Sequence, residues 1–226
     1  MHIGLIGGIG PAATIYYYKE LVRLFAEAKQ KMALTIVHTD LGEYAANMAS
    51  GNADGQARLF AQLTAKLKTG GCDSVALTSM GGHFCIAEFE SLSPLPVLNA
   101  IPVLNAEFSR QNLKRIGVLG TRAVMDSGLY GVASAQVIAP PLEERNRVHD
   151  TYVAMATLGF STSEQRIYMQ DVAARLHRDA GVDAIVLGGT DLFLAFDQPH
   201  YAYKIIDCAI VHASAIAHAA MTGQSP

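Results

Sequence analysis

Gly71-Cys72-Asp73-Ser74-Val75-Ala76-Leu77 and Gly181-Val182-Asp183-Ala184-Ile185-Val186-Leu187 carry one pattern twice, 110 residues apart. Each has a glycine that can stop a helix, an aspartate two residues on, and a short apolar run. A second pair, His2-Ile3-Gly4-Leu5-Ile6-Gly7 and Arg115-Ile116-Gly117-Val118-Leu119-Gly120, recurs at a displacement of 113. Either match alone is weak, because short apolar strands resemble one another by chance. Two matches in the same order at nearly the same displacement point to a duplicated architecture.

Working outward, His2 to Ile6 reads as a first strand, Gly7 to Pro11 as a tight turn, and Ala12 to Lys29 as a helix. Pro11 suits a first helical position, where its missing N–H costs nothing. Ala33 to His38 and Ser74 to Thr78 read as further strands, with a helix over Asp54 to Lys68 and a short one after His83 through Glu90. A short apolar segment, Val97 to Asn99, follows Pro94 and Pro96. In the second half, helices are expected over Ala123 to Val132, Glu143 to Ala156, Ser163 to Ala180 and Tyr203 to Ala220, with a strand over Gln136 to Ala139. Ser161 or Ser163 is the expected cap of the third of these, and Gly181 its stop. Strands alternating with helices predict an α/β fold of two pseudo-symmetric lobes, each a mostly parallel sheet covered by helices. The expected division is 1–98 with 204–226 for the first lobe and 99–203 for the second.

The chain has 226 residues, half of them apolar and 16% charged, with a formal charge of -3. That composition argues for a compact, well-buried protein and supplies no basic field for nucleic acid or anionic lipid. No apolar stretch approaches the roughly 20 residues of a membrane helix. Glycines and Pro11 interrupt the apolar start before a signal peptide can form. Cys72, Cys85 and Cys208 form neither a paired framework nor metal spacing. Reduced thiols and cytoplasmic residence are therefore expected, and a dedicated metal site is not.

Ligands of open α/β sheets bind beyond the carboxyl ends of the strands. Here those ends are Gly7 to Gly10, Thr39-Asp40, Ser79 to His83, Gly120 to Arg122, and Gly189 to Asp191. If the lobes face one another, equivalent loops approach a ligand from opposite sides. Gly8 and Gly10 stand before a helix start, where amides could hold a carboxylate or phosphate or serve only a tight turn. His83 could be an acid, a base or a loop-stabilising donor. Asp191 could hold an amine, act as a base or accept amides of its own turn. Ser79, Met80, Gly81, Gly82, Thr121, Gly189 and Thr190 complete the candidate lining, with Asp40 a weaker member. Of Tyr16-Tyr17-Tyr18, at least one is expected to be packing.

The chain resembles the aspartate/glutamate racemase superfamily, over nearly its whole length. Gly4-Leu5-Ile6-Gly7-Gly8-Ile9-Gly10-Pro11 with Ala13-Thr14, Gly71 to His83, Ile116 to Thr121 with Gly128 and Tyr130, Gly181 to Leu192, and Asp207 with His212 carry the resemblance. It implies a cofactor-independent enzyme of amino-acid metabolism, a small carboxylate or amino-acid ligand, and a homodimer. In that family one cysteine follows each of the two repeated strands. By the resemblance Ser79 occupies the place of the first, with His83 keeping the family's histidine; Gly189 occupies the place of the second, and Asp191 stands for a glutamate. Removing an α-proton from one face and returning one to the other needs two acid/base groups. Serine is a weak one and glycine none. A racemase-like enzyme with altered roles for His83, Asp191 and Ser79, a related lyase or decarboxylase, a non-catalytic carboxylate-binding protein, and a Ser79-dependent hydrolase without a G-x-S-x-G elbow all stay open.

Overall fold

The computed structural model describes residues 1–223. The chain divides into two compact units: Met1–Asn99 with the segment from His212, and Ala100–Val211. The first unit holds β1 (His2–Gly7), α1 (Pro11–Glu27), β2 (Ala33–His38), α2 (Leu41–Ala49), α3 (Ala53–Thr69), β3 (Ser74–Leu77), a 3-10 turn at Gly81–Cys85 and α4 (Ile86–Leu92). The second holds α5 (Ala100–Arg110), β4 (Arg115–Leu119), α6 (Arg122–Asp126), α7 (Gly128–Gly131), β5 (Gln136–Ile138), α8 (Leu142–Leu158), α9 (Ser163–Ala180), β6 (Ala184–Leu187), a 3-10 turn at Leu192–Leu194 and β7 (Ile205–Asp207). The last helix, α10 (Cys208–Thr222), starts in the second unit and passes to the first at His212.

Each unit is built on a parallel sheet, ordered β2-β1-β3 in the first and β5-β4-β6-β7 in the second. The α/β class with a sheet and flanking helices in each half is therefore as the sequence pattern predicts. The repeat extends to strand register. Ile3 lies opposite Ser74 and Leu5 opposite Ala76; at the equivalent positions Ile116 lies opposite Ala184 and Val118 opposite Val186. A single parallel bridge, Val75 with Val97, stands where the second unit has a full strand pair beginning at Ile185 and Ile205.

The two aspartates of the repeat explain how the register is held. Asp73 accepts the amide of His2 at 2.7 Å and returns its own amide to the His2 carbonyl at 2.9 Å. Asp183 accepts the amides of Lys114 at 2.7 Å and Arg115 at 2.9 Å and donates to the Arg115 carbonyl at 2.8 Å. Each thus locks the entry of one central strand to its neighbour. Above the strands, Phe60 and Phe89 meet edge to face at 5.5 Å in the first unit's core, and both are fully buried. Burial of each such ring contributes roughly 2–3 kcal/mol.

Several local expectations are corrected. The final helix does not start at Tyr203: Ile205 and Ile206 extend the sheet as β7, and the Asp207 carboxylate then accepts the amides of Ala209 and Ile210 to start α10. The expected helix over Ala123 to Val132 breaks after Asp126, because Gly128, Leu129, Tyr130 and Gly131 all have positive φ. Thr162, rather than either flanking serine, caps α9 in a reciprocal capping box with Gln165, while Gly181 ends it in the left-handed conformation. Two helices, α2 and α5, go beyond what the sequence pattern predicts. Pro102 sits in the first turn of α5, where no intrahelical amide bond is lost. Among the described residues no helix is long and apolar enough to cross a membrane.

Candidate active site at the strand ends

In the first unit Ile6 pairs with Leu77, so the loops leaving β1 and β3 are neighbours. Gly8 turns with φ +101, and a side chain there would stand 2.6 Å from both the Thr39 carbonyl and the His38 ring. Its amide donates to Thr14 Oγ1 at 3.1 Å, and that hydroxyl meets Thr78 Oγ1 at 3.0 Å. Thr14 also donates to the Gly10 carbonyl. A threonine on α1 thereby ties the two loops together, a role that the sequence pattern does not single out.

Beyond β3, Ser79, Gly81, Gly82 and His83 are buried, and the Met80 side chain is fully packed, leaving its main chain as the polar part. The Ser79 carbonyl accepts both the Gly82 amide at 3.2 Å and His83 Nδ1 at 3.0 Å. Space is tight at both glycines: a side chain at Gly81 would stand 2.6 Å from the Tyr44 hydroxyl, which would have to shift, and one at Gly82 would stand 3.2 Å from Ile9 and Leu77. A carbonyl can only accept, so His83 carries its proton on Nδ1 and its lone pair on Nε2. Burial lowers its pKa to about 4, against the opposing effect of hydrogen bonding to the Ser79 and Met80 main chain, and the ring is neutral at pH 7.

His212 stands edge-on to His83, with ring centres 6.1 Å apart. Its Nε2 donates to the Leu98 carbonyl at 2.8 Å, which leaves Nδ1 to accept the Tyr17 hydroxyl at 3.0 Å. Burial, then the neighbouring His83 charge, lowers its pKa to about 3. Tyr17 is thus the packed member of the tyrosine triplet, and Tyr18 is exposed. Asp40, after β2, caps α2 by accepting the Glu43 amide at 2.8 Å. It also borders a groove of about 250 Å³ with His38, Glu43 and Lys66.

In the second unit Leu119 pairs with Leu187, which makes neighbours of the Thr121 and Gly189–Asp191 loops. The strand ends approach so closely that a side chain at Gly120 would stand 3.1 Å from the Gly188 and Gly189 main chain. Thr121 caps α6 through the Val124 amide at 3.3 Å. Asp191, 1% exposed, accepts the Tyr152 hydroxyl at 3.1 Å. Burial first, then the Asp191 charge, push the Tyr152 phenol well above its usual range. The Thr190 hydroxyl, near enough to oppose that shift, is buried and completes no hydrogen bond of good geometry. Tyr152 comes from α8 and nothing in its local sequence marks it.

All three cysteines are buried and free. Cys85 points to the Gly82 carbonyl at 3.5 Å, and burial followed by the Glu88 charge raises its pKa to about 12. Burial likewise raises Cys72 and, further, Cys208. At neutral pH each is a thiol rather than a thiolate. No group of three or more His, Cys, Asp or Glu among the described residues is disposed to hold a metal ion.

A family model described as Asp/Glu/Hydantoin racemase matches residues 6–216. The chain belongs to the Asp/Glu/Hydantoin racemase family. Among solved structures it is similar to a candidate Asp/Glu racemase from Yersinia pestis, at 26% identity and TM-score 0.83 over 98% of this chain and 100% of that one. An aspartate racemase homologue from Pyrococcus horikoshii OT3 is 21% identical with TM-score 0.80, over 97% and 99% of the two chains. An allantoin racemase from Klebsiella pneumoniae, 13% identical with TM-score 0.64 over 100% and 89%, has the same fold. Racemase-family membership and a racemase-type fold thus agree over almost the whole chain.

Proposed function

We propose that the protein takes a small carboxylate, an amino acid or a close relative, at these strand ends and moves the proton next to the carboxylate with a single base rather than two thiols. Family membership supports the substrate class. The departure from two thiols is supported by Ser79 and Gly189, which the resemblance sets at the family's two cysteine positions, and by the burial of every remaining thiol. The observation that carries the reading is His83: its Nδ1–H is anchored on the Ser79 carbonyl, so the basic nitrogen of a neutral ring is Nε2.

An imidazole of low pKa is a weak base until an anion arrives beside it. A substrate carboxylate raises the pKa of a neighbouring histidine, so binding strengthens the base. The Cα–H proton then passes to Nε2, and the electron pair of that bond delocalises into the substrate carboxylate. In the first unit Ser79 Oγ is the hydroxyl assigned to that carboxylate, with Gly8, Gly10, Met80, Gly81 and Gly82 as loop lining and Asp40 at the margin. In the second unit Thr190 Oγ1 and Asp191 are the candidate hydroxyl and amine partners at the equivalent strand ends, with Thr121 beside them. Return of the proton by the same nitrogen gives exchange without inversion; expulsion of a β leaving group, with the carbanion's electron pair forming the new C=C bond, gives a lyase.

The test is a panel of amino acids, hydantoins and substituted malonates in D2O, followed by NMR for α-proton exchange and by chiral chromatography for inversion. Exchange that drops at least about 100-fold in His83→Asn is the expected result, the range of general-base catalysis. Exchange that persists in that variant assigns the base elsewhere. Saturable binding with no exchange on any substrate supports the carboxylate-binding reading instead.

A further inference from the structure

We propose that Tyr152 is a specificity-determining residue: its ring occupies the volume of the side chain missing at Gly189, and its hydroxyl bond to Asp191 holds it there, closing the β6 end to proton transfer. This rests on the single-base reading above. A Cβ at position 189 would stand 2.4 Å from Tyr152 Cε2, 2.7 Å from Cζ and 2.9 Å from Cδ2. Contacts under 3.0 Å are ones that a real Cβ does not make. Gly189 has no positive φ, in contrast with Gly8 or Gly181, so backbone conformation does not call for glycine at this position. The neighbouring ring does.

The same ring is chemically idle in proton transfer. Its phenol stays protonated at neutral pH and cannot serve as a base. Giving up its proton would leave a phenolate against the Asp191 carboxylate in a buried place, which is costly. At the position where the resemblance sets a family cysteine, Gly189 therefore leaves more than a vacancy. The space is filled by a group that neither takes nor gives a proton, and the hydrogen bond to Asp191 keeps the ring from swinging out. The predicted consequence is stereospecificity: one enantiomer exchanges its α-proton with retention.

The experiment is a double-mutant cycle over Gly189→Cys and Tyr152→Ala, read by thermal unfolding and by substrate exchange and inversion. Gly189→Cys alone should lower Tm by about 5 °C or more, as overpacking does. Tyr152→Ala should lower it through the cavity left. The pair should lose clearly less than the two shifts together, since the new side chain occupies the vacated space. Additive shifts would overturn the shared-volume claim. In the pair, the introduced thiol should react with iodoacetamide and substrate inversion should appear beside exchange, while the parent protein shows exchange alone. A parent that already inverts its substrate overturns the proposal. A parent with no exchange at all defeats the single-base reading, and the Tm cycle still decides whether the ring owns the volume.

Discussion

At their entries the two repeated strands are managed alike, by Asp73 gripping the β1 amide and Asp183 gripping those before and at β4. At their exits they differ. Beyond β3 stands a neutral histidine backed by a second histidine and a tyrosine; beyond β6 stands a glycine with a tyrosine ring pressed on it and a buried carboxylate. Entries are bound by the demand that parallel strands pair in register, a demand each unit must meet to fold. Exits carry no such demand, so two copies of one scaffold can keep the same sheet and hold different chemistry.

The largest expected effect falls on the turn after β1. Gly8 and Thr121 are equivalent at the repeat's displacement of 113, yet only Gly8 has a positive φ. Gly8→Ala should cost about 4 kcal/mol, combining backbone strain with a clash against the Thr39 carbonyl, whereas Thr121→Gly should cost about 1 kcal/mol in lost capping and chain entropy. Denaturant unfolding measures both, and similar costs would break the claim that the exits have diverged.

Next comes acid sensitivity. His83 and His212 bind a proton more readily unfolded than folded, because burial lowers their pKa to about 4 and about 3. Their contribution to stability is therefore complete above pH 6.5 and is lost as pH falls toward the folded values, on the order of 3 kcal/mol for His83 by pH 4. A His83→Asn variant should show a shallower loss of stability between pH 6.5 and 4 than the parent. An unchanged slope would remove His83 from this account.

Tyr152→Phe keeps the ring over Gly189 and removes the hydroxyl from Asp191, so a smaller loss of about 1–2 kcal/mol is expected. Thermal unfolding beside the parent measures it. The smallest effects are at the entries. Asp73→Ala and Asp183→Ala should each cost about 1 kcal/mol, with Asp183 somewhat the greater because it accepts two amides and Asp73 one. A cost confined to one of them would show that the entries, too, have parted.

The repeated strands are legible in sequence because a strand buried on both faces must be apolar throughout, and β1, β3, β4 and β6 are largely so. Ser79, His83, Thr190 and Asp191 follow from them directly as loop residues at their exits. The strand β7 is hidden because only Ile205 and Ile206 announce it, just ahead of an alanine-rich run that reads as helix. Pro102 conceals α5 in the same way, by looking like a breaker while occupying a first turn. Tyr152 is beyond reach for a different reason. Its role is a matter of volume against a residue on another element, and volume has no local pattern. His212 is visible only through family resemblance, since its partners Tyr17 and Leu98 lie far away in the chain.

The passage of α10 from one unit to the other has a consequence for synthesis. The second unit is one continuous stretch, Ala100–Val211, and all of it leaves the ribosome before the segment that completes the first. Until His212 arrives, Tyr17 and the Leu98 carbonyl lack their shared partner, and the His83 ring lacks its neighbour. The older half of the nascent chain is thus the later to mature, and His83 acquires its His212 neighbour only after the whole second unit has been made.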